Sequence, residues 1–499
     1  MFPARKPLRP RGGRWDNWPV PEEEKANKLL QQGIELAKAG AVDEALKLFG
    51  EALDIVPGNP VVNYNFGLAQ QQTGSIEAAV IAYQAAIEVL PGFTEAQINL
   101  SYALKLLGRF SEALEAAEGA IRLDANEPSA WLAKGNALRS LHAVGQAAEA
   151  FQAGVELAPT NGELNLSLAN TKRELGQVSE AIQLLREVSG EHPEFAEAHR
   201  DLAHALLLNG EYLEGWRTNR WRWGTGSLRG GKRHQSIAEW TGQPLTGKRI
   251  LLWDEQGFGD AIQFVRFAPW VTEMGAEVVL EVQPELVRLF KTVEGVSAVF
   301  ARGGTLPRVD YQASLLNLGD VFCTDLSAIP NTTPYLHVER SVEKFEGDRP
   351  KIGLCWAGNP SHDNDRNRSI DLRLLEPLLD LQGIDFFSLQ VGSRAGEAVS
   401  GTKLRKLPGE LRDFLDTAQF VVELDVVITV DSSIAHLAGA LGQAVWVLLP
   451  YAPDWRWLLG REDSPWYPGT SLFRQGQPGD WSVPVKEICK NIAEKVVGN

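Results

Sequence analysis

Apolar and small positions return every 34 residues through the first two fifths of the chain and then stop. Small residues stand at Gly33, Gly67, Ser101, Gly135, Ala169 and Ala203, and a second small series runs through Ala45, Ala79, Ala113, Ala147 and Ala181. Bulky residues follow that second series one helical turn later, at Phe49, Tyr83, Phe151 and Leu185. Small side chains let helix backbones approach, and the bulky ones are expected to fill the space between neighbouring units. Gly40, Gly74, Gly108, Gly176 and Gly210 share one register, with His142 at the skipped step, and Pro57, Pro91, Pro159 and Pro193 share another, with Ala125 standing in. Glycine stops the first helix of each pair and proline lies just beyond the second. The pattern predicts a solenoid of about six helical pairs. Its sixth unit is degenerate: Gly215 and Asn219 replace the small and bulky residues, and Trp216, Trp221 and Trp223 crowd its end. A terminal unit has no next neighbour, so these aromatics are expected to seal the solenoid against the domain that follows.

From about residue 247 the pattern changes to short β-rich apolar runs alternating with helical stretches. The predicted strands are Arg249–Glu255, Val278–Val282, Val296–Phe300, Tyr311–Leu316, Lys351–Ala357, Asp385–Gln390, Val426–Val430 and Ala444–Leu449. Strands alternating with helices imply parallel sheets. The polar stretch Tyr335–Pro350 reads as a hinge between two doubly wound halves, whose ligands bind beyond the carboxyl ends of the strands. The amphipathic stretch Val485–Val497 is expected to pack back on the first half.

Three strand ends carry candidate chemistry. Glu255-Gln256-Gly257-Phe258-Gly259-Asp260 follows the first strand of the first half. Gly257 and Gly259 allow a tight turn and close approach to a ligand, and they deliver Asp260 to a helix start, as a general base or as a helix cap. Trp356-Ala357-Gly358-Asn359-Pro360 follows the first strand of the second half and leads into a loop with Arg366 and Arg368, whose guanidinium groups suit phosphate oxygens. Asp363-Asn364-Asp365 in that loop matches a two-aspartate metal motif, but so short a pattern arises often by chance. Asp431-Ser432-Ser433-Ile434-Ala435-His436 runs from a strand into a helix whose free N–H groups can hold an anion. Gln390, ending a strand in the second half, is a candidate contact to a nucleotide base. Trp455, Trp457 and Trp466 serve either as packing between the halves or as the lining of a sugar pocket.

At 499 residues the chain needs two or three domains. Its net charge of −15 disfavours nucleic acid and anionic membranes. Arg5, Lys6, Arg9, Arg11 and Arg14 form a local basic patch without the apolar stretch of a signal peptide, so residues 1–24 read as a solvated, disordered tail. No segment approaches the roughly 20 apolar residues needed to span a bilayer. Cys323, Cys355 and Cys489 show neither metal-ligand nor disulfide spacing, which suits a reducing cytoplasm.

Taken together, the motifs resemble those of bacterial tetratricopeptide proteins with a C-terminal glycosyltransferase domain similar to the heptosyltransferases. The marks are Gly215-Trp216, Trp221-Arg222-Trp223, Asp254 through Asp260, Trp356 through Pro360, Asp365 through Ser369, Asp431 through Leu441, Pro453 through Trp457 and Ser464 through Pro468. The resemblance implies an α-solenoid followed by an α/β GT-B fold of two Rossmann-like halves: solenoid at 25–225, first half at 240–340, donor-binding half at 349–499. It implies Asp260 as the base, with Asp431 and His436 at the donor and Arg368 nearest to the family's basic residue at the donor phosphates. Ser432-Ser433 stands where heptosyltransferases usually have threonine and glycine, and their lysine-tryptophan-proline segment is absent. The repeats also resemble the arm of O-GlcNAc transferase, whose asparagine ladder binds protein substrates. The matching positions here are Gln31, Asn65, Asn99, Ala133, Ser167 and Asp201, so only Asn65 and Asn99 keep the ladder residue.

The expectation that follows is a metal-independent inverting glycosyltransferase. It moves a sugar from a nucleotide-sugar co-substrate to a protein hydroxyl selected by the solenoid, with flagellin as the acceptor suggested by resemblance. Asp260 and the phosphate cradle near Ser432 should then face each other across a gap wide enough for a sugar. Transfer to a lipopolysaccharide or another glycan, and a non-catalytic scaffold, are the alternatives.

Overall fold

The computed structural model describes residues 20–226, 228, 231–322, 324–340, 345–362, 364–399 and 403–495. The basic patch of the tail, Asp363, Cys323 and residues 341–344 of the expected hinge lie outside the described residues. The chain divides into two compact units, Met1–Pro193 and Glu194–Asn499.

The first unit is a run of helical pairs: α1 (Val20–Lys38) with α2 (Val42–Ile55), α3 (Pro60–Gln72) with α4 (Ile76–Val89), α5 (Thr94–Leu106) with α6 (Phe110–Leu123), α7 (Pro128–Ser140) with α8 (Val144–Leu157), and α9 (Gly162–Glu174) with α10 (Val178–Glu191). The first helix of each pair ends on a left-handed residue. Gly40 has φ 86°, and beyond it the Ala41 N–H returns to the Leu36 carbonyl at 3.0 Å, which satisfies a carbonyl the helix would otherwise orphan. His142 takes the same conformation, φ 60°, with the Ala143 N–H bonded to the Leu138 carbonyl at 3.0 Å. The repeat thus holds its geometry where glycine is missing, at the steric cost a Cβ carries there.

Small and bulky positions meet inside each pair. A Cβ on Gly33 would lie 2.5 Å from the Phe49 ring, and one on Gly67 would lie 2.7 Å from the Tyr83 ring. Phe49 also belongs to a core cluster with Val62 and Ala69 of the next pair. The expected packing between units is therefore joined by a closer contact within the pair. In the third pair the roles compensate: Ser101 is larger and donates to the Ala113 carbonyl at 2.7 Å, while Ala117 takes the bulky place.

The second unit opens with α11 (Ala196–Leu208), α12 (Tyr212–Thr218) and the tight turn Asn219–Gly224, so the sixth helical pair belongs to it. Two parallel sheets follow. The first contains β1 (Arg249–Trp253), β2 (Glu277–Val282), β3 (Val296–Ala301) and β4 (Tyr311–Ser314), in the order β3-β2-β1-β4. The second contains β5 (Lys351–Cys355), β6 (Asp385–Ser388), β7 (Arg405–Lys406), β8 (Val426–Val430), β9 (Val445–Leu449) and β10 (Thr470–Arg474), in the order β10-β9-β8-β5-β6-β7. In each sheet the strand order reverses beside the first strand, between β1 and β4 and between β5 and β8. Loops leaving adjacent strands at such a point turn to opposite faces and open a crevice.

The helix Ser482–Lys495 packs Val485, Ile488 and Ile492 into the core of the second half, with Ile352, Leu375, Trp446 and Phe473. The sequence reading expects it on the first half; it covers the second instead, because its apolar stripe meets the sheet formed immediately before it.

Trp216 seals the sixth pair onto the sheets, as its sequence position predicts. It is 2% exposed, its ring lies edge-on to Trp455 at 5.3 Å and to Phe264 at 5.7 Å, and its Nε1 donates to the Thr324 carbonyl at 2.9 Å. Trp223 packs against Trp253, with centroids 5.6 Å apart, whereas Trp221 lies at the surface stacked on His199 at 4.1 Å. Two motifs that are separate in sequence form one structure: Arg222 reaches Glu255 at 2.6 and 2.8 Å, and also contacts Asn317 at 2.8 Å and the Asn219 carbonyl at 3.0 Å.

Candidate functional site

The loop after β1 divides its labour by residue. Asp254 is buried, pairs with Arg302 at 2.7 Å and Arg233 at 3.0 Å, and accepts the Gln283 N–H at 2.7 Å. Glu255 is held by Arg222, so both acidic residues that open the motif are internal supports. Asp260, in the first turn of the helix Phe258–Phe264, is the carboxylate left facing the other sheet.

Asp260 acts as a cap and more. Its Oδ2 accepts the Gly257 N–H at 2.9 Å, and its Oδ1 accepts from Arg456 Nη2. Arg456 lies in the turn Trp455–Trp457 beyond β9, so this ion pair joins the two halves of the second unit. The same guanidinium donates to Asp454 Oδ1 at 2.8 Å and to Gln263 Oε1 at 2.7 Å. Burial pushes the Asp260 carboxyl above its ordinary range, and Arg456 and the Gly257 N–H offset part of that rise. Against desolvation, Arg456 holds Asp454 below its ordinary range.

Neither glycine of the loop has positive φ, and Gly259 is required for packing rather than for contact with a ligand. A Cβ on Gly259 would lie 2.8 Å from His436 Cδ2 and 3.6 Å from Ser433 Cα. The helix Phe258–Phe264 and the helix Ser433–Ala440 therefore touch directly at this point, where the sequence reading expects a gap.

At the crevice between β5 and β8, Ser432 caps the helix Ser433–Ala440: its Oγ accepts the Ile434 N–H at 3.3 Å and lies 2.9 Å from Thr429 Oγ1. Asp431 beside it is pushed up to about 6 by burial and by the charge of Asp454, against the pull of Arg368. The Trp457 indole stacks on His436 at 5.6 Å, and its N–H is buried. His436 Nδ1 lies 2.9 Å from the Tyr467 hydroxyl. Burial and the nearby Arg456 push its imidazole well below 6.5, so His436 is neutral and supplies no positive charge to a phosphate.

The loop after β5 is shaped from within. Gly358 makes room for Arg368, since a Cβ there would lie 2.6 Å from its Nη2, and the Gly358 N–H donates to Ser369 Oγ at 3.0 Å. Arg368 is mostly buried and faces Asp365 at 3.4 Å, and its charge reaches Asp431 and Cys355, which places it at the crevice. Arg366 is exposed. Asn359 Oδ1 accepts from the Ser361 N–H at 3.0 Å and hydroxyl at 2.9 Å, closing a local turn.

Gln390 does not fit the contact to a nucleotide base expected of it. Its Oε1 accepts the N–H groups of Trp356 at 3.1 Å and Ala357 at 2.9 Å, and its Nε2 donates to the carbonyls of Ala357 at 3.1 Å and Val391 at 3.2 Å. Both donors and the acceptor are spent holding the β5 loop. Asn65 and Asn99 are likewise buried: Asn65 donates to the Val61 carbonyl at 2.8 Å and Asn99 to the Tyr64 hydroxyl at 2.8 Å. The Asn99 amide ties α5 to α3 and the Asn65 amide bonds back within α3, so both are spent inside the solenoid rather than lining an open groove.

The structure thus gathers Asp260, Asp431, Ser432, His436 and Arg368 into one neighbourhood, together with Trp457, and adds Arg456 and Asp454, to which the sequence reading gave no role in chemistry. Their signal was position, since Pro453–Trp457 follows the β9 strand end just as the other loops follow theirs. Trp455 and Trp466 are buried packing residues. Arg266 joins the halves as well, lying over the rings of Tyr335, Tyr467 and Trp466 at 4.5, 4.6 and 5.3 Å and donating to the Trp466 carbonyl at 2.8 Å. Two surface cavities, of about 410 Å3 lined by Leu208, Leu326, Leu458 and Arg461 and about 510 Å3 lined by Lys248, Arg249, Glu277 and Arg308, share no residue with this neighbourhood.

Comparison with known proteins is consistent with the repeat geometry. The tetratricopeptide repeat family matches residues 64–128, 98–162 and 166–215. Protein FlbA of Caulobacter vibrioides is 28% identical over 321 residues, which is 58% of this chain and 53% of that protein. The chain therefore spans about half the length of that relative. Among solved structures, a thermophilic TPR protein from Thermus thermophilus is 22% identical over 36% of this chain and 99% of its own, with a TM-score of 0.33. MamA from Desulfovibrio magneticus RS-1 is 19% identical over 34% and 97%, with a TM-score of 0.32. PilF from Pseudomonas aeruginosa is 17% identical over 42% and 95%, with a TM-score of 0.36. No helix among the described residues is long and apolar enough to cross a membrane.

Proposed function

We propose that the second unit is an inverting glycosyltransferase of GT-B layout, and that the repeat arm selects a protein whose hydroxyl receives the sugar. The observation that carries this reading is the meeting of Asp260, from the carboxyl end of one parallel sheet, with the helix start at the order reversal of the other. In this mechanism Asp260 takes the proton of the acceptor hydroxyl as that oxygen attacks the anomeric carbon. The bond from that carbon to the donor phosphate breaks, and the nucleotide leaves with the electron pair. Arg368 and the Ser433 N–H at the helix start, next to the N–H of Ile434 that Ser432 caps, offset the charge that develops on the leaving group. His436, being neutral, supports Trp457 and Gly259 by packing. The sugar enters beside the Gly259–His436 contact, over the exposed Gln256 and Gly257. Flagellin is the proposed acceptor by family resemblance alone, and the cytoplasm is the proposed compartment from the cysteine spacing.

That same direct packing favours a second reading, a non-catalytic tetratricopeptide scaffold whose second unit is an adaptor. Thermal shift with UDP, ADP, GDP and CMP sugars, followed by transfer assays of wild type and Asp260→Asn, separates the two. Selective stabilisation by one nucleotide class, with transfer lost and binding kept in Asp260→Asn, supports the enzyme. Absence of both stabilisation and transfer across the panel leaves the scaffold.

A further inference from the structure

We propose that Arg456 is a positioning residue that orients Asp260 across the two halves of the second unit, so that the base is assembled only where the halves meet. This rests on the transferase reading. Arg456 is fixed before it reaches Asp260: its own N–H is bonded to Asp454 Oδ1 at 3.1 Å, its Nη1 to the same oxygen at 2.8 Å, and its Nε to Gln263 Oε1 at 2.7 Å. Its guanidinium also lies over the Trp455 ring at 4.2 Å. With rotation blocked on three sides, Nη2 is aimed at Asp260 Oδ1.

Asp260 is then held at both oxygens, Oδ2 by its own loop and Oδ1 by the opposite half. Each carboxylate oxygen keeps a further lone pair, and the carboxylate remains 18% exposed, so one edge is left to accept a proton. A mostly buried ion pair contributes little net stability over an apolar substitute, because desolvation offsets its attraction. What it supplies is direction and charge state. Five other titratable groups lie around this ion pair: Glu255 on the same loop is tied to Arg222, Asp454 is tied to Arg456, His436 from the helix Ser433–Ala440 is neutral, His204 of α11 acts on Asp454, and Asp431, raised to about 6, also acts on Arg456 and titrates separately from Asp260 in the difference spectrum.

The test uses the full chain and the variants Arg456→Met, Arg456→Lys and Asp260→Asn. Transfer kinetics are read against pH, and the Asp260 carboxyl is titrated by 13C NMR, assigned by difference from Asp260→Asn. For Arg456→Met the expectation is a kcat lower by about 30-fold or more with donor KM unchanged within about threefold, as for an interaction made mainly in the transition state. The acidic limb and the NMR midpoint should both move up by about one pH unit, since the cation that favours the charged form is gone. Arg456→Lys should recover about a tenth or more of the wild-type rate and most of the midpoint. An unmoved midpoint in Arg456→Met overturns the proposal, as does a raised KM with unchanged kcat, which would make Arg456 a donor ligand. A wild-type chain that transfers no sugar overturns the transferase reading, while the midpoint still decides whether Arg456 governs Asp260.

Discussion

Gly259 sits where the smallest side chain is too large. A Cβ there would press to 2.8 Å on His436 Cδ2, a ring that cannot swing away because it is held by Tyr467 on one side and stacked under Trp457 on another. Gly257, two residues earlier, has φ −78° and ψ 168°, and its nearest neighbour is a carboxylate oxygen at 3.3 Å. Gly259→Val should therefore lower the stability of the second unit by about 1 to 3 kcal/mol through overpacking, and Gly257→Ala by less than about 0.5 kcal/mol, both measured by urea unfolding. Two ionisable groups nearby pull stability in opposite directions with pH. Asp431 is raised from 3.8 to about 6, so the folded state binds its proton more readily than the unfolded, and the cost of its buried charge appears as pH rises through that window. Asp431→Asn should thus stabilise by about 2 to 3 kcal/mol at pH 8, a gain that fades by pH 4. His436 is lowered, so above 6.5 both states are neutral and nothing is lost, while below it the unfolded state alone takes a proton. Replacing it by Gln, which keeps a partner for Tyr467, should flatten the acid side of the stability profile, and unfolding midpoints from pH 4 to 8 would show both effects.

Helix α12 is a short element with an outsized burial. Its Trp216 inserts among Phe264, Trp455 and Trp466 and spends its N–H on the Thr324 carbonyl, so its removal opens a cavity and strips a buried carbonyl of its donor. Trp216→Ala should cost about 3 to 5 kcal/mol, whereas Trp221→Ala, at a surface ring stacked on His199, should cost less than about 1 kcal/mol. Elements of this kind mark how far the sequence can be read. The inner strands were legible because a parallel strand buried on both faces is a continuous apolar run, and Val426–Val430 and Val445–Leu449 are buried at every position. The edge strands of the first sheet, Val296–Ala301 and Tyr311–Ser314, were legible as well, but those of the second sheet were not. Thr470–Arg474 mixes buried and half-buried residues, and Arg405–Lys406 is two exposed charges whose pairing depends on β6 being in place. The candidate site divides in the same way. Loops at strand ends announce themselves through glycine, serine and aspartate next to an apolar run. The pairing of Asp260 with Arg456, however, spans 196 residues and follows only from how two sheets dock. Gln390 shows the converse: its place at a strand end suggests a ligand, but the folded chain uses every polar atom it has.

At the scale of the molecule, the sixth helical pair belongs to the catalytic candidate rather than to the arm, and this fixes where the chain can be cut. A fragment of residues 194–499 keeps Trp216 over Trp455 and Trp466, and keeps Arg222 on Glu255, whose side chain is only 2% exposed. A fragment beginning at residue 226 loses both, leaving an aromatic patch open and a buried carboxylate without its cation, which costs far more than an exposed pair. The first fragment should be monodisperse and unfold cooperatively, and the second should aggregate, as judged by size-exclusion chromatography and thermal scanning. The longer fragment also tests how function is divided. If the arm only selects the acceptor, the 194–499 fragment should bind the donor nucleotide within about twofold of the full chain and retain transfer to a small free hydroxyl. Its transfer to the protein acceptor should fall by about 100-fold or more, the scale on which a tethered surface raises effective concentration. Equal loss of donor binding and of both transfers would instead make the arm part of the site, and the separation of recognition from chemistry would fail.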